Sequence, residues 1–359
     1  MPKDSEPENL ACLIAGRNLG DIVVHSEFFR RLASRNYAKR YIVWTRPQLA
    51  FLFLDIPNCE VICSQFPVGT AKQFNGGTAA AFFKAAMAIR RQRPDVTLDL
   101  VGDFRERWFA RLAGSRRHVH IGWERDHPFA QLIRNPFGSG RPIVRVPVIV
   151  ANAYSAYQIM LDILAPGRND RQAAMAVSRS SVSRAGAMRV GLHPFASQPS
   201  KLWPAENWRI VARELLSRGV ELNAFAAPNE LTAAQSLFSE FGPRVSIFTG
   251  TISEFAHALT NLDILIGLDS FSVHMAHRQG VRSITINAGT PTELWAVPSG
   301  RTLGGAGGCA YYPCYNIAKC QNTAYENACV RSVSPSDVLN AIKSIDGGRQ
   351  MSDLCAGSR

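Results

Sequence analysis

Three short stretches place a charged or hydroxyl side chain directly after an apolar run. In LDILIGLDSFSVHMAHRQG (262–280), Ile264, Leu265, Ile266 and Leu268 lead into Asp269 and Ser270, and a helix-like segment closed by Gly280 follows. In HPFASQPSKLWP (193–204), Lys201 stands between Ser200 and Leu202, ahead of Trp203 and Pro204. In AGRNLGD (15–21), Gly16 and Gly20 precede Asp21. A strand that ends on such residues and turns into a helix exposes unpaired backbone N–H groups at the positive end of the helix dipole, where a phosphate binds readily. A lysine in a neighbouring loop can face a diphosphate as a point charge. A carboxylate at a helix start can take a proton from a substrate hydroxyl. Each feature also has a plainer reading, an N-cap for Asp21, Asp269 or Ser270 and a solvated loop lysine for Lys201. Two strand-end loops of matching polarity in one half of the chain favour a nucleotide site. AGRNLGD is not G-x-G-x-x-G, so a nicotinamide fingerprint is absent.

The elements that would carry these loops alternate. Apolar strands are predicted at 10–16, 40–45, 59–64, 95–102 and 117–123, with helices at 21–35, 77–93 and 105–114 between them. Residues 124–150 read as irregular, 152–165 as a helix, and the Ser/Arg-rich stretch 166–187 as a linker. The second half repeats the order. Strands are predicted at 188–194, 220–228, 244–250 and 282–289, and helices at 204–219, 229–242 and 334–345. A further helix at 251–261 opens on Thr251 and Glu254, spaced as a capping box. From about 298 the chain reads as a Gly/Cys-rich loop, with GGAGG (304–308) inside it. The expectation is α/β: two doubly wound domains, 1–165 and 188–346, facing a central cleft, with a disordered tail at 347–359.

The chain has 359 residues and a net charge of +12. Residues 1–165 hold 22 Lys/Arg against 14 Asp/Glu, so +8 of that excess lies in the first half. This suggests an anionic partner. Nucleic acid is disfavoured, because the basic residues are dispersed and no aromatic stacking motif lies among them. No run is apolar and long enough to span a bilayer, and MPKDSEPENLACL has no signal-peptide pattern, so a cytoplasmic location is expected. Cys309, Cys314, Cys320 and Cys329 are spaced C-x4-C-x5-C-x8-C. Four loop thiols of this kind can hold a structural zinc or iron or remain free.

NLGD after the first strand, KLWP after LHP, GTISEFAHAL, IGLDSFSVHMA and AGTPTELWAVP together resemble glycosyltransferase family 9, the lipopolysaccharide heptosyltransferases. The resemblance runs in order over most of the chain. It implies a GT-B fold, with an acceptor domain followed by a nucleotide-sugar domain. It also implies inverting transfer from an ADP-activated heptose with no cofactor or metal required for catalysis; the chain has no D-x-D motif. By position, Asp21 matches the family's general base and Lys201 the lysine that neutralises the donor diphosphate. Asp269 matches the acid of its Asp-Ser/Thr-Gly, and Ser270 would offer N–H and hydroxyl to phosphate. Ser200, Glu230, Thr290 and His274 fall at donor-side positions, although the place of His274 inside its helix favours a structural role. Arg105 and Arg107, among the arginines at 90, 91, 93, 111, 116 and 117, are the acceptor-side candidates for an anionic glycolipid at the inner membrane surface. Some family members that modify autotransporter proteins carry an iron-binding cysteine set, so a protein acceptor is the alternative. A non-catalytic nucleotide-sugar-binding protein is another. Departures from the pattern are Phe271 where the family has glycine after Asp-Ser, Glu27 near a usual proline, and Arg17-Asn18 in the first loop.

Overall fold

The protein is described from a computed structural model, over residues 8–68, 75–102, 104–123, 144–146, 152–166, 187–315 and 317–345. By its internal contacts the chain divides into two compact units, Met1–Met175 and Ala176–Arg359. The predicted linker and C-terminal tail lie almost entirely outside the described residues.

In the first unit, strands β1 (Glu8–Ala15), β2 (Ala38–Thr45), β3 (Cys59–Cys63), β4 (Val96–Asp99), β5 (Arg117–Trp123) and β6 (Val144–Val146) form one parallel sheet in the order β3-β2-β1-β4-β5-β6. Its helices are α1 (Leu19–Ser34), α2 (Gly76–Gln92), α3 (Phe104–Ala113) and α4 (Ala153–Leu164). In the second unit, β7 (Arg189–His193), β8 (Glu221–Ala226), β9 (Val245–Thr249), β10 (Ile264–Leu268), β11 (Arg282–Ile286) and β12 (Gly300–Leu303) form a second parallel sheet, ordered β12-β11-β10-β7-β8-β9. The accompanying helices are α5 (Ala205–Ser217), α6 (Leu231–Phe238), α7 (Ile252–Leu259), α8 (Phe271–Arg278), α9 (Ala328–Arg331) and α10 (Pro335–Ile345). Each strand order reverses once, between β1 and β4 and between β7 and β10. In open α/β sheets such a switch point, at the carboxyl ends of the strands, is where ligands sit.

The central strands are apolar on both faces because helices cover both, and all five residues of β10 are buried. Leu10, Cys12, Ile14, Ile42 and Trp44 pack against Phe82, Ile89 and Phe109 of α2 and α3. Trp44, Phe66, Phe82 and Phe109 form a ring cluster with centroids 4.7–6.1 Å apart. Gly16 is dictated by this cluster: a Cβ there would lie 2.2 Å from the Phe66 ring. Gly16→Ala should therefore cost about 1–3 kcal/mol of stability, read as a lower urea midpoint at unchanged m-value; an unchanged midpoint would show that Phe66 can yield.

Several elements differ from the sequence reading. A 3-10 helix occupies Pro47–Phe53, and α9 and the edge strands β6 and β12 lie in stretches expected to be irregular. The first helix begins at Leu19, two residues before the predicted start, so Gly20 lies in its first turn. The Thr251–Glu254 capping box is present, with Glu254 N–H donating to Thr251 Oγ1 at 3.2 Å and Thr251 N–H to the Glu254 carboxylate at 2.8 Å.

Candidate functional site

Lys201 leaves the end of β7 and Asp269 the end of β10, so the two residues flank the switch point of the second sheet. Lys201 closes a 3-10 turn, Pro199–Lys201, whose continuation is pinned by Trp203. The Trp203 indole is buried edge-on against Trp208 and donates to the Val333 carbonyl at 2.8 Å. Asp269 is held by its own N–H, which donates to the Ile286 carbonyl at 3.0 Å. The Lys201 ammonium then donates to the Asp269 carboxylate at 2.8 Å and to the Asp269 carbonyl at 2.9 Å. Their side chains are only 13% and 8% exposed. These two bonds use two of the three ammonium protons. A ligand phosphate would meet a cation already oriented and largely shielded from water.

Ser200 is half-buried in the same turn. Ser270 occupies the N-cap of α8 in extended backbone, but its side chain makes no capping bond and lies 3.0 Å from Ser272 Oγ. Gly267 lets this helix start close over β10, since a Cβ would sit 3.2 Å from Ser272 Oγ and Val273 Cγ1. Phe271 does not point a ring into the loop. It packs edge-on to His193, with centroids 5.9 Å apart, and against Phe255 at 5.4 Å, leaving its backbone as the first helical residue. His274, one turn on, is buried edge-on to Trp295 at 5.9 Å. Burial pulls its pKa down to about 4 against the opposing pull of Asp269, so the ring is neutral at pH 7.

The other donor-side candidates share this sheet edge but not the ion pair. Glu230, after β8, accepts from Ala227 N–H at 2.9 Å and so shapes its own turn. Thr290, after β11, is buried and donates its hydroxyl to Asn287 Oδ1 at 3.0 Å. The Thr290 carbonyl accepts from Asn287 Nδ2 and from the Tyr312 hydroxyl, each at 2.6 Å. His193, Asn287 and Tyr312 were not singled out in the sequence. His193 was visible only as part of LHP; the other two carry no local signal.

In the first unit, Asp21 is the third residue of α1, half-buried, with Oδ2 accepting from Asn18 Nδ2 at 3.1 Å. The loop before it hangs on a fully buried arginine. Arg46 donates through Nε to the carbonyls of Gly16 and Arg17 at 2.9 and 3.1 Å, and through Nη2 to the carbonyl of Val68. Across the switch point, Asp99 at the end of β4 accepts from Val101 and Gly102 N–H at 2.8 and 2.9 Å. Arg107, on α3, donates weakly to the Gly102 carbonyl at 3.4 Å and faces the stacked rings of His118 and His120. It is thus half-buried in a polar cluster rather than on a solvated helix face, while Arg105 is half-buried at the start of the same helix.

His25, His118, His120, His193 and His274 are held neutral chiefly by burial, their pKa values pulled down to about 3, 3, 4, 4 and 4. Unfolding frees them to take up protons below about pH 6.5. A depressed folded pKa contributes stability that is complete above the unfolded value and is lost as pH falls towards the folded one. Stability should therefore drop from pH 6.5 towards pH 4, by about 2.7 kcal/mol per pH unit if only two of the five behave so. Urea titrations at pH 7, 6 and 5 check this, and a flat profile would contradict it.

Cys309, Cys314, Cys320 and Cys329 carry free thiols. Burial pushes the Cys329 thiol up, and Cys309 and Cys314 lie near enough to add to the shift. Among the described residues no three His, Cys, Asp or Glu side chains gather closely enough to hold a metal ion. No described helix is long and apolar enough to cross a membrane.

No curated protein matches the chain in sequence. In structure it is similar to a glycosyl transferase family 9 protein from Veillonella parvula, at 17% identity and a TM-score of 0.72, covering 96% of this chain and 99% of that one. The Escherichia coli heptosyltransferase WaaC, solved with ADP-2-deoxy-2-fluoro heptose, is similar at 14% identity and a TM-score of 0.65, with 93% and 99% covered. The iron-containing dodecameric glycosyltransferase TibC from enterotoxigenic E. coli is similar at 13% identity and 0.55, with 96% and 77% covered. These likenesses show the fold, GT-B. The family model for glycosyltransferase family 9 (heptosyltransferase) matches residues 82–322, more than half of the chain, and the protein therefore belongs to that family.

Proposed function

We propose that the protein is an inverting glycosyltransferase that moves a heptose from an ADP-activated donor to a hydroxyl of a lipopolysaccharide-core acceptor on the cytoplasmic side of the inner membrane. The observation that carries this reading is the shielded Lys201–Asp269 pair at the switch point of the second sheet. Asp21 takes the proton of the acceptor hydroxyl as its oxygen attacks the anomeric carbon. The bond from that carbon to the diphosphate oxygen breaks on the opposite face, so the configuration inverts. Charge developing on the departing ADP is met by the Lys201 ammonium and by the first N–H groups of α8, with Ser270 beside them. The cation on the diphosphate is then a side chain, and catalysis needs no metal. Asp269 holds Lys201 in place and accepts from a sugar hydroxyl. Ser200, Glu230, Thr290 and His274 shape the donor pocket, His274 as a neutral ring. Arg105 and Arg107 hold the anionic group of the acceptor bidentately.

A protein acceptor is the second reading. It is favoured by the likeness to TibC. The test is ADP release from ADP-heptose with Kdo-lipid A, with an autotransporter passenger protein, and with neither. Release that requires Kdo-lipid A supports the first reading, and release that requires the protein supports the second. Tight ADP binding with no release in any arm would replace both with a binding role.

A further inference from the structure

The outer faces of α2 and α3 carry large apolar side chains that the fold does not use. Phe82, Ala85, Ala86 and Ile89 turn α2 onto the sheet, and Phe109, Ala110 and Ala113 do so for α3. Phe83 and Met87, one turn apart on α2, are 48% and 47% exposed, and Trp108 on α3 is 46% exposed. The helices lie side by side, with Arg90 Nη1 donating to the Arg111 carbonyl at 3.1 Å. That bond joins their carboxyl ends, so the two helices run parallel. Phe83 and Met87 then lie along the α2 flank nearest α3, and Trp108, with Leu112 one turn on, along the α3 flank nearest α2. Together they form one apolar ridge.

On these two helices the exposed charge has a single sign. Helix α2 contains Lys84, Arg90 and Arg91 and no carboxylate, and all three are exposed. Helix α3 adds the exposed Arg111 and the half-buried Arg105, and its one acid, Glu106, is buried. Two copies docked through this face would bring two basic rims together. A ridge of Phe, Met and Trp bordered by cations suits instead a surface that is apolar below and negative on top. We propose that the exposed faces of α2 and α3 form a docking surface for an anionic phospholipid bilayer, with Trp108, Phe83 and Met87 entering the headgroup–acyl boundary. The surface needs no sugar acceptor, and the vesicles that test it contain none. Its failure is thereby separable from failure of the transferase reading.

The full-length protein is sedimented at low salt with vesicles of phosphatidylcholine alone or mixed with phosphatidylglycerol. Binding is expected to the anionic vesicles only. Lys84→Gln with Arg91→Gln should lower the partition coefficient about 25-fold, about fivefold for each charge near the surface. Phe83→Ser with Trp108→Ser should lower it by about tenfold or more, with cooperative unfolding retained at a modestly lower temperature, because about half of each side chain packs against the fold. Brominated acyl chains should quench the wild-type indole fluorescence, and Trp108→Phe should remove most of that quenching. The proposal is overturned if the wild type ignores anionic vesicles or if binding survives loss of the apolar pair. It is equally overturned if light scattering finds a dimer that Phe83→Ser with Trp108→Ser converts to monomer, which would assign the face to self-association.

Discussion

Lys201→Met should lower kcat for ADP release by about 10²–10³, the cost of removing one preorganised charge from a developing anion. It should also lower stability by roughly 3–5 kcal/mol, because it leaves the Asp269 carboxylate shielded and unpaired. These two losses have different causes and can be separated. In Lys201→Met with Asp269→Asn, no charge is left without its partner, so most of the stability should return. The turnover should not, because the diphosphate still lacks its cation. Calorimetry and ADP release on the wild type, both single variants and the double variant complete the comparison. If the double variant recovered turnover along with stability, Lys201 would be a structural ion-pair partner and the leaving-group role would be withdrawn. A third measurement sharpens the case: ADP should bind Lys201→Met more weakly, and more weakly still relative to wild type as ionic strength falls.

Asp21→Asn should leave ADP affinity and thermal stability close to wild type while reducing kcat by about 10²–10⁴, the usual contribution of a positioned base. The amide oxygen can still accept from Asn18, so the first turn of α1 keeps its bond while the proton acceptor is lost. The kinetic signature is as informative as the magnitude: the loss should fall on kcat, with the KM for the donor close to wild type. A variant that retained the wild-type rate would leave Asp21 as no more than a first-turn carboxylate facing the helix dipole.

Much of this arrangement was legible in the sequence, because the central strands are buried on both faces and so read as apolar runs. β10, with Asp269 immediately beyond it, is the clearest example. The loops at strand ends were legible for the same reason. The pairing of Lys201 with Asp269 was not, since 68 residues separate them and the contact exists only because β7 and β10 are neighbours in the sheet. Arg46 was hidden for a similar reason. In RPQLAF it reads as a solvated loop arginine, and its burial follows from the exits of β1 and β3 meeting in space. β12 was missed because GRTL has no apolar run. Its strand geometry comes from the ladder of β11, from Ser283 opposite Gly300 to Ile286 opposite Leu303. The placement of the Phe271 ring is likewise visible only in three dimensions, where it packs against His193 and Phe255.

The outermost strands of the two sheets have a consequence for how the protein behaves in a crowded solution. An open sheet offers a row of unpaired amides along each margin, which invites strands from other molecules to add on. Here those margins are short. β3 and β9 have five residues each, β12 has four and β6 has three. Each gives a stray strand few ladder bonds, and β3 and β12 bear charge at Glu60 and Arg301. Extending any of them by continuous β-branched residues should raise the rate at which the folded protein forms fibrils or precipitates, without changing the fold of either unit.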